Sequence, residues 1–540
     1  MWWVWLLVFV VFAAIGGTVY GVLTKRSTNS ATSSNDGPVV PSVPSGGGGI
    51  PSGNNPFGFP ESIPKVTQIW ASDNGHMAYV NDSGRLKFLF VRDDDTISSY
   101  PISLNGTVTS SIDASAILNA TELAFFGSTA PVFVEGCFTP TRGSSSSKQY
   151  FLLSVGKLES SRYRFARFVI VFQFDRNANQ LQWNTFTNQA GYRLTPSWDV
   201  KADWGSPYSG SFGNRIKACF DRTVVLSSNS VHVYVNATNR SVSNPGGSVV
   251  WFVLDNVLGT FQSVQEIRDG RLIEGYQRTP SNIVSPDGPR TYLNSFGYDF
   301  DVNVTDADSK LAVLAISNPG AEDNYTSGSG SSPIFAVGPA PNGYVQLFGR
   351  DNNDLWAIQS KATRYVGAYS GANQTYNFGA SVTLFSNSLI GISDRSTTLN
   401  FTMLERASTT DRLWPDYSTE TSPGVPKPET RTTISDLKPS EDLLNMHAPR
   451  VIAADQDWVV SVFATTGSQP ALGVFTLTKS TSWAWTKKYI LPTGAVNSNS
   501  APDVFADSTF CWLSNDRLTT YLLVNDPLNE QAWLYLKSAT

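Results

Sequence analysis

The feature that most constrains the fold is the alternation of short apolar runs with turn-forming residues from Pro60 to Thr540. The runs are rich in Val, Phe, Tyr, Ile and Trp, and Asn, Asp, Gly, Ser or Pro interrupt them every few residues. Such runs are typical of β-strands joined by tight turns. Clear examples are residues 87–91, 168–174, 231–235, 249–254 and 458–463. The sequence therefore predicts an all-β fold.

Helical periodicity is scarce in the same region. Only the stretch from Ser435 to Met446 is predicted as a short helix, with Ser435 or Ser440 as the capping residue.

Turn clusters divide the strands into about seven units of three or four strands each. Small antiparallel sheets of this size need neighbours to bury both of their faces, as the blades of a β-propeller do. We expect about seven blades, or alternatively six, with a pair of β-sandwiches as the competing architecture. The last unit ends almost at the C-terminus, so an early strand is expected to pair with a late one and close the ring. The units lie near residues 62–104, 109–190, 196–270, 285–360, 362–412, 445–492 and 500–538.

The N-terminus predicts a membrane segment. Residues 2–23 contain no charged side chain, and a helix of this length spans about 30 Å of hydrocarbon. We therefore predict a transmembrane anchor over residues 1–26. A cleaved signal peptide is the alternative, because small residues that suit a cleavage site follow the apolar core. They are Ala13, Ala14, Gly16 and Gly17.

A tether connects this segment to the folded part. Residues 27–58 are rich in Ser, Gly, Pro and Asn and are predicted to be a disordered linker, which leaves residues 59–540 as the ectodomain. Lys25 and Arg26 would favour a cytoplasmic ectodomain, but long domains translocate largely regardless of flanking charge. We expect a single-pass membrane protein with its C-terminal domain extracellular or lumenal, or alternatively a secreted protein.

Nine Asn-x-Ser/Thr sequons are compatible with this route and are the candidate glycosylation sites. Their asparagines are Asn81, Asn105, Asn119, Asn236, Asn239, Asn303, Asn324, Asn373 and Asn400.

The net charge and the cysteine content argue against several classes of protein. The net charge is −5 and there is no run of Lys and Arg, so a nucleic-acid partner is not expected. The chain has three cysteines and no Cys-x-x-Cys pair, which is too few for a disulfide scaffold or a zinc knuckle. Cys137 and Cys219 are the candidate disulfide, with three thiols as the alternative. No cofactor is expected.

Two passages, 84–97 and 343–356, share one pattern: a strand, then Arg-Asp, a polar turn and a second strand. The unit at 343–358, and more loosely that at 84–100, resembles the repeats of fungal fucose-specific lectins and related bacterial sugar-binding propellers. In that family an Arg, a Glu and a Trp bind the sugar. The Asp turn matches at Asp351 and the aromatic at Phe348, whereas the family's Arg falls on Gln346 and its Glu near Ala357. The resemblance implies a sugar-binding propeller.

Two groups of residues are candidates for ligand binding. The first group consists of Trp198, Asp199, Asp203 and Trp204. It resembles a carbohydrate site, because indole faces stack on the C–H faces of sugars while carboxylates bind their hydroxyls. The second group comes from the hairpin at 343–358. Packing of the tryptophans between blades is the alternative for the first group. The candidates are Trp198, Asp199, Asp203, Trp204, Arg350, Asp351 and Trp356.

The densest group of oxygen ligands is the run 299–308. Asp299, Asp301 and Asn303 begin like a calcium loop, which makes them calcium candidates. Val304 stands where the loop needs Gly, and Lys310 where it needs Glu. Alternation with apolar residues is equally typical of a strand that has one polar face.

These observations favour a tethered extracytoplasmic propeller that binds glycan or protein through loops on one face. The first alternative is a structural or adhesive surface protein without a small ligand. The second is a glycosidase that uses paired carboxylates among Asp199, Asp203, Asp299 and Asp301. No motif for a nucleophile elbow, a metalloprotease, a P-loop or a dinucleotide site is present, so no catalytic residue is assigned.

Overall fold

The structure is a computed structural model of the whole chain. Residues 55–540 form one compact unit. The residues that it describes are 61–72, 75–91, 97–100, 102–104, 107–140, 148–160, 163–175, 180–183, 192–194, 211–221, 230–238, 247–255, 260–268, 296–303, 312–318, 344–350, 355–358, 364–366, 369–370, 373–374, 379, 381–385, 389–393, 401–405, 431–434, 444–454, 457–466, 469–479, 483–491, 510–514, 520–526 and 531–537.

The predicted anchor at residues 1–26 and the predicted linker at 27–58 lie outside the described residues. Within the described ranges, no helix is long and apolar enough to span a lipid bilayer.

The described strands form seven sheets of four or more strands, numbered here in chain order, and almost all of the pairing is antiparallel. Strand β1, Glu61–Pro64, belongs to the seventh sheet. The first sheet contains β2 (Val66–Ala71), β3 (His76–Asn81), β4 (Leu86–Val91) and β5 (Ile97–Tyr100). The second contains β6 (Ile102–Leu104), β7 (Thr107–Thr109), β8 (Pro131–Phe138), β9 (Lys148–Ser160), β10 (Tyr163–Asp175), β11 (Gln180–Trp183) and β12 (Tyr192–Leu194). The third contains β13 (Ser211–Asp221), β14 (Ser230–Thr238), β15 (Gly247–Asp255) and β16 (Thr260–Arg268).

The other four sheets follow the same order along the chain. The fourth contains β17 (Phe300–Asn303), β18 (Val313–Asn318), β19 (Tyr344–Arg350), β20 (Trp356–Ile358) and β21 (Arg364–Val366). A small hairpin follows, of β22 (Tyr369–Ser370) and β23 (Asn373–Gln374). The fifth contains β24 (Ser381–Phe385), β25 (Leu389–Ser393), β26 (Phe401–Glu405) and β27 (Arg431–Ile434). The sixth contains β28 (Leu444–Ala454), β29 (Asp457–Thr466), β30 (Gln469–Lys479) and β31 (Trp483–Leu491). The seventh contains β32 (Phe510–Ser514), β33 (Thr520–Asp526) and β34 (Gln531–Lys537), with β1 at its other edge.

One edge strand of each sheet contacts the corresponding edge strand of the next sheet. Strands β1, β6 and β7 are not among these strands, because they lie towards the opposite edges of their sheets. Strands β2, β8, β13, β17, β24, β28 and β32 contact one another in this order, and β32 contacts β2 again. We call these seven strands the inner strands. A closed cycle of inner strands is the arrangement of a β-propeller, so the all-β, propeller-like fold expected from the sequence is confirmed.

Strand β1 closes the cycle. It pairs antiparallel with β34, and Glu61 lies opposite Leu534. The predicted pairing of an early strand with a late one is therefore confirmed. Ile63 on β1 is buried together with residues of the first and seventh sheets, including Val66, Met77 and Leu523. The closing strand thus joins the two ends of the folded chain through one apolar cluster.

The first, second and third sheets bury both of their faces, because alternate residues of one strand enter different apolar clusters. On β9, Phe151 and Leu153 pack towards the first sheet, whereas Leu152 packs towards the third. On β14, Val233 packs towards the second sheet and Tyr234 towards the fourth. Burial on both sides explains why these strands read as nearly continuous apolar runs.

One helix was not predicted. Helix α1, Ala120–Phe126, precedes β8 and begins with a capping box between Asn119 and Glu122. The guanidinium of Arg193 on β12 donates two hydrogen bonds to the carboxylate of Glu122, at 2.7 and 2.9 Å, and fastens the helix to the second sheet. The helix predicted from Ser435 to Met446 is wrong at its end, because Leu444–Ala454 is a strand; residues 435–443 lie outside the described part.

Truncation of one buried side chain on strand β1 tests how far the stability of the ring depends on this closing strand. Ile63→Ala should lower the free energy of unfolding by about 2–5 kcal/mol, because it removes buried atoms from a packed cluster. The matched control is Leu158→Ala on β9, where the side chain is 43% exposed and a change within about 0.5 kcal/mol is expected. Denaturant unfolding of both variants measures the difference. Equal losses would contradict a special role for closure.

Candidate functional site

Charged side chains lie on three consecutive inner strands, and two β-bulges position them. Strand β8 has a bulge between Phe133 and Gly136, which contains Glu135, and β13 has one between Phe212 and Ile216, which contains Arg215. Bulges re-aim the side chains of a strand. The bulge on β8 is held by Ser154, whose hydroxyl accepts a hydrogen bond from the Glu135 amide at 2.9 Å.

Three ion pairs connect these strands. Arg215 Nη1 lies 3.0 Å from Glu135 Oε2, and Arg215 Nε lies 3.8 Å from Asp299 Oδ1. Lys217 Nζ lies 3.9 Å from Asp301 Oδ1. We call Glu135, Arg215, Lys217, Asp299 and Asp301 the charged row. It joins the second, third and fourth sheets across their inner strands.

The row also reaches the fifth sheet. Asp299 Oδ2 accepts a hydrogen bond from the amide of Val382 at 2.9 Å, and Asp301 Oδ2 accepts one from the amide of Leu384 at 2.8 Å. Val382 and Leu384 are two residues apart on β24, so both amides point to the same edge, away from β25. An inner strand has no further strand on that edge, and the two carboxylates satisfy donors that would otherwise be left without a strand partner.

Calcium binding by residues 299–303 stays a prediction, and two of its three candidate ligands, Asp299 and Asp301, have other partners in this structure. Their carboxylates bind cationic side chains and backbone amides, and no group of three or more metal-ligating residues occurs in the described part of the chain. Asn303 ends β17 and is half-buried. The alternative interpretation, a strand with one polar face, is confirmed by the pairing of β17 with β18.

The electrostatics of the row are strongly coupled. Burial by itself would lower the pKa of Arg215, but the charges of Glu135 and Asp299 outweigh it and hold the pKa above its usual range. The same balance, with Asp301 and Asp299 as the raising charges, raises the pKa of Lys217. Burial raises the pKa of Asp301, and the charge of Lys217 opposes this shift only in part. Both cations thus stay charged at neutral pH.

Part of the row is open to solvent. The side chain of Lys217 is 42% exposed and that of Arg215 is 26% exposed, whereas Asp299 is almost buried. Tyr298, a half-buried residue, lies close enough to Arg215 to interact with its charge. The site therefore combines an aromatic ring, two cations and a partly exposed carboxylate.

Arg350 and Trp356, two of the predicted ligand residues, are brought together but lie in the interior. The guanidinium carbon of Arg350 lies 4.3 Å from the ring centre of Trp251 and 4.5 Å from that of Trp356. All three side chains are buried. In this structure they form a cation–π cluster between the third and fourth sheets.

The remaining predictions have mixed outcomes. Cys137 and Cys219, both described, do not form the predicted disulfide: each has a thiol, and they pack against different apolar clusters. The following predicted residues lie outside the described part: Trp198, Asp199, Asp203, Trp204, Asp351, Asn105, Asn239, Asn324 and Asn400.

Sequence reasoning missed Glu135, Arg215 and Lys217. A signal for them existed, because each interrupts an apolar strand, and Arg215 and Lys217 are two residues apart and so share a face. Charged residues at alternate positions of a buried strand indicate a polar partner. The pattern along one strand does not identify the strand that supplies this partner.

Comparison with known proteins gives structural neighbours only. No family model matches the chain, and no curated protein matches it. It is similar to the fucose-specific lectin from Aleuria aurantia, with 12% sequence identity and a TM-score of 0.31 over 80% of this chain and 100% of the lectin. A second structure of this lectin, described as a six-bladed β-propeller with a novel fucose recognition mode, gives 11% identity and a TM-score of 0.31 over 80% and 99%.

A mutant of the same lectin in complex with α-methyl-L-fucoside gives 11% identity and a TM-score of 0.32 over the same shares of the two chains. The resemblance predicted from the two hairpins is confirmed in that these lectins are structural neighbours. A TM-score this low transfers no residue role.

Acid stability tests the cluster around Arg350. His232 Nδ1 accepts a hydrogen bond from Trp251 Nε1 at 3.3 Å, and burial, together with the charge of Arg350, lowers the pKa of His232 from 6.5 to about 3. Between pH 6.5 and pH 3, His232 therefore binds a proton in the unfolded chain but not in the folded chain. The free energy of unfolding should fall as the pH falls through this window, by at most about 1.4 kcal/mol per pH unit from this group.

Denaturant unfolding at several pH values measures that slope. His232→Asn keeps an acceptor for the Trp251 N–H and has no imidazole to titrate, so its slope between pH 6 and pH 4 should be shallower. Identical slopes for the two proteins would contradict the assignment.

Proposed function

We propose that this chain is a membrane-tethered, extracytoplasmic glycan-binding protein with a seven-bladed propeller as its ectodomain. The observation that carries the binding role is the exposed end of the charged row. There, Lys217, Arg215 and Asp301 converge beside Tyr298 on neighbouring inner strands. The seven blades are supported by the closed cycle of seven inner strands.

The chemistry of this set suits a sugar. Sugar hydroxyls both donate and accept hydrogen bonds, so they need cations and carboxylates side by side. An aromatic ring offers a surface for the C–H face of the sugar. The row contains three carboxylates and two cations, a balance that disfavours a polyanion such as nucleic acid and suits a ligand without a high negative charge.

The tether is supported by the sequence. Residues 2–23 contain no charged side chain, and the Ser/Gly/Pro-rich stretch at 27–58 separates them from the ectodomain. We propose that the protein crosses the membrane once, with residues 59–540 outside the cytosol, and that cleavage of the N-terminal segment would give a secreted form.

Binding can be tested on a glycan array with residues 55–540. We expect retention of one class of glycan, and Lys217→Ala should weaken it at least about tenfold, because a hydrogen bond to a charged group contributes about 1.5–3 kcal/mol. Lys65→Ala is the matched control. Lys65 also forms one long ion pair, with Asp82 at 3.7 Å, but on the first sheet.

Two outcomes would contradict the proposal. Equal binding by the two lysine variants would remove the charged row from the binding surface. No retained glycan at all would favour the alternative of a structural or adhesive surface protein.

A polysaccharide hydrolase is the second candidate, and the raised pKa of Asp301 favours it, because a general acid needs such a shift. Incubation with mixed polysaccharides would then release reducing ends, and Asp301→Asn should lower that release by at least about a hundredfold. Release that is unaffected by the substitution would exclude Asp301 as the acid. Binding is the better-supported function, because both aspartates of the row are already engaged with amides of β24.

A further inference from the structure

The nine sequons are not equivalent in the folded chain. Three of their asparagines have described side chains: Asn81, Asn119 and Asn303. Asn119 is exposed, whereas Asn81 and Asn303 are half-buried. Because an N-linked oligosaccharide is bulky and strongly solvated, it needs an asparagine that faces solvent.

Asn119 meets this need, and its contacts leave the reactive atom available. Its Oδ1 accepts a hydrogen bond from the amide of Glu122 at 2.9 Å, and its main-chain N–H donates to Glu122 Oε2 at 2.9 Å. Both bonds use atoms other than Nδ2, the atom to which an oligosaccharide is attached. Thr121, which completes the sequon, is also exposed, as are residues 127–130 at the other end of the helix.

Asn303 is placed differently. It is the last residue of β17, an inner strand, and it lies two residues after Asp301, so the two side chains share one face of the strand. That face carries the charged row. An oligosaccharide on Asn303 would have to fit between neighbouring inner strands.

Asn81 has the same type of contacts as Asn119 but is half-buried. Its Oδ1 accepts a hydrogen bond from the amide of Arg85 at 2.8 Å, and its main-chain amide donates to the Arg85 carbonyl at 3.0 Å, so it closes the turn between β3 and β4. Asn119 is therefore the best acceptor among the three.

We propose that Asn119 carries an N-linked oligosaccharide and that Asn303 does not. The donor is an oligosaccharide on a lipid diphosphate. Asn119 Nδ2 forms a bond to C1 of the first sugar and loses one proton, the bond between C1 and the diphosphate oxygen breaks, and the lipid diphosphate leaves. The inference rests on the proposed extracytoplasmic location, because this donor is used on the lumenal side of the membrane.

The glycan leaves the helix cap intact. The Oδ1 atom stays an acceptor after Nδ2 is substituted, so helix α1 keeps its capping box and Arg193 keeps its partner in Glu122. The oligosaccharide would extend from the surface of the second sheet.

The test is the full-length chain expressed in a eukaryotic secretory host. Enzymatic removal of glycans in ¹⁸O water converts each occupied asparagine to a labelled aspartate, which peptide mass spectrometry locates. We expect the label at Asn119 and not at Asn303. Asn119→Asp and Thr121→Ala should each lose one glycan and show the same gel shift.

These two variants separate the glycan from the cap. Asn119→Asp keeps an oxygen acceptor at the cap, and Thr121→Ala keeps Asn119 itself, so a shift that is common to both reports the glycan alone. Glycans at other sequons with none at Asn119, or a glycan on Asn303, would overturn the inference and leave the location intact. No glycan at any sequon would overturn both the inference and the proposed location.

Discussion

Burial of both faces of a sheet, seen in the first three sheets, is the constraint on which the rest of this structure depends. A small antiparallel sheet with two apolar faces is not stable alone, because each face must be removed from water by a neighbour. In the second and third sheets the neighbours are the sheets on either side, because alternate residues of β9 and β14 pack in opposite directions. The first sheet then has a neighbour on one side only unless the seventh reaches it. Strand β1 and the cluster around Ile63 provide that contact.

The inner strands create a second requirement, because their free edges carry backbone amides with no strand beside them. In the fifth sheet this requirement is met by carboxylates from the fourth, since Asp299 and Asp301 accept from Val382 and Leu384. Placing carboxylates in a partly buried position is unfavourable unless cations accompany them. Arg215 and Lys217 supply those cations, and the bulge on β13 directs Arg215 between Glu135 and Asp299. A structural need thus assembles the polar surface to which we assign binding.

The sequence was informative where local pattern decides the structure. Turn-punctuated apolar runs predicted many of the strands and both Arg-Asp hairpins, which are β4 with β5 and β19 with β20. The predicted unit limits differ from the sheets, because β6 belongs to the second sheet and β21 to the fourth. It was less informative where contacts between distant segments decide. Helix α1 is only seven residues long and has too few turns for a periodic signal, although Asn119 and Glu122 have the spacing of a capping box. Asp299 and Asp301 were marked in the sequence as calcium candidates, but the partners that they have in the structure come from β13 and β24, which no local pattern identifies.

The closing strand also has a consequence for how the polypeptide matures during synthesis. Glu61 is among the first residues of the ectodomain to emerge from the ribosome, and Leu534, its partner, emerges about 470 residues later. At typical elongation rates that interval is roughly 25–95 s. Until then one apolar face of the first sheet has no neighbouring sheet, and one strand edge of the seventh sheet has no partner strand. Exposed surfaces of this kind promote aggregation. Assembly of the ring is therefore limited by translation of its last strand, and a chaperone that shields the waiting first sheet would act during that interval.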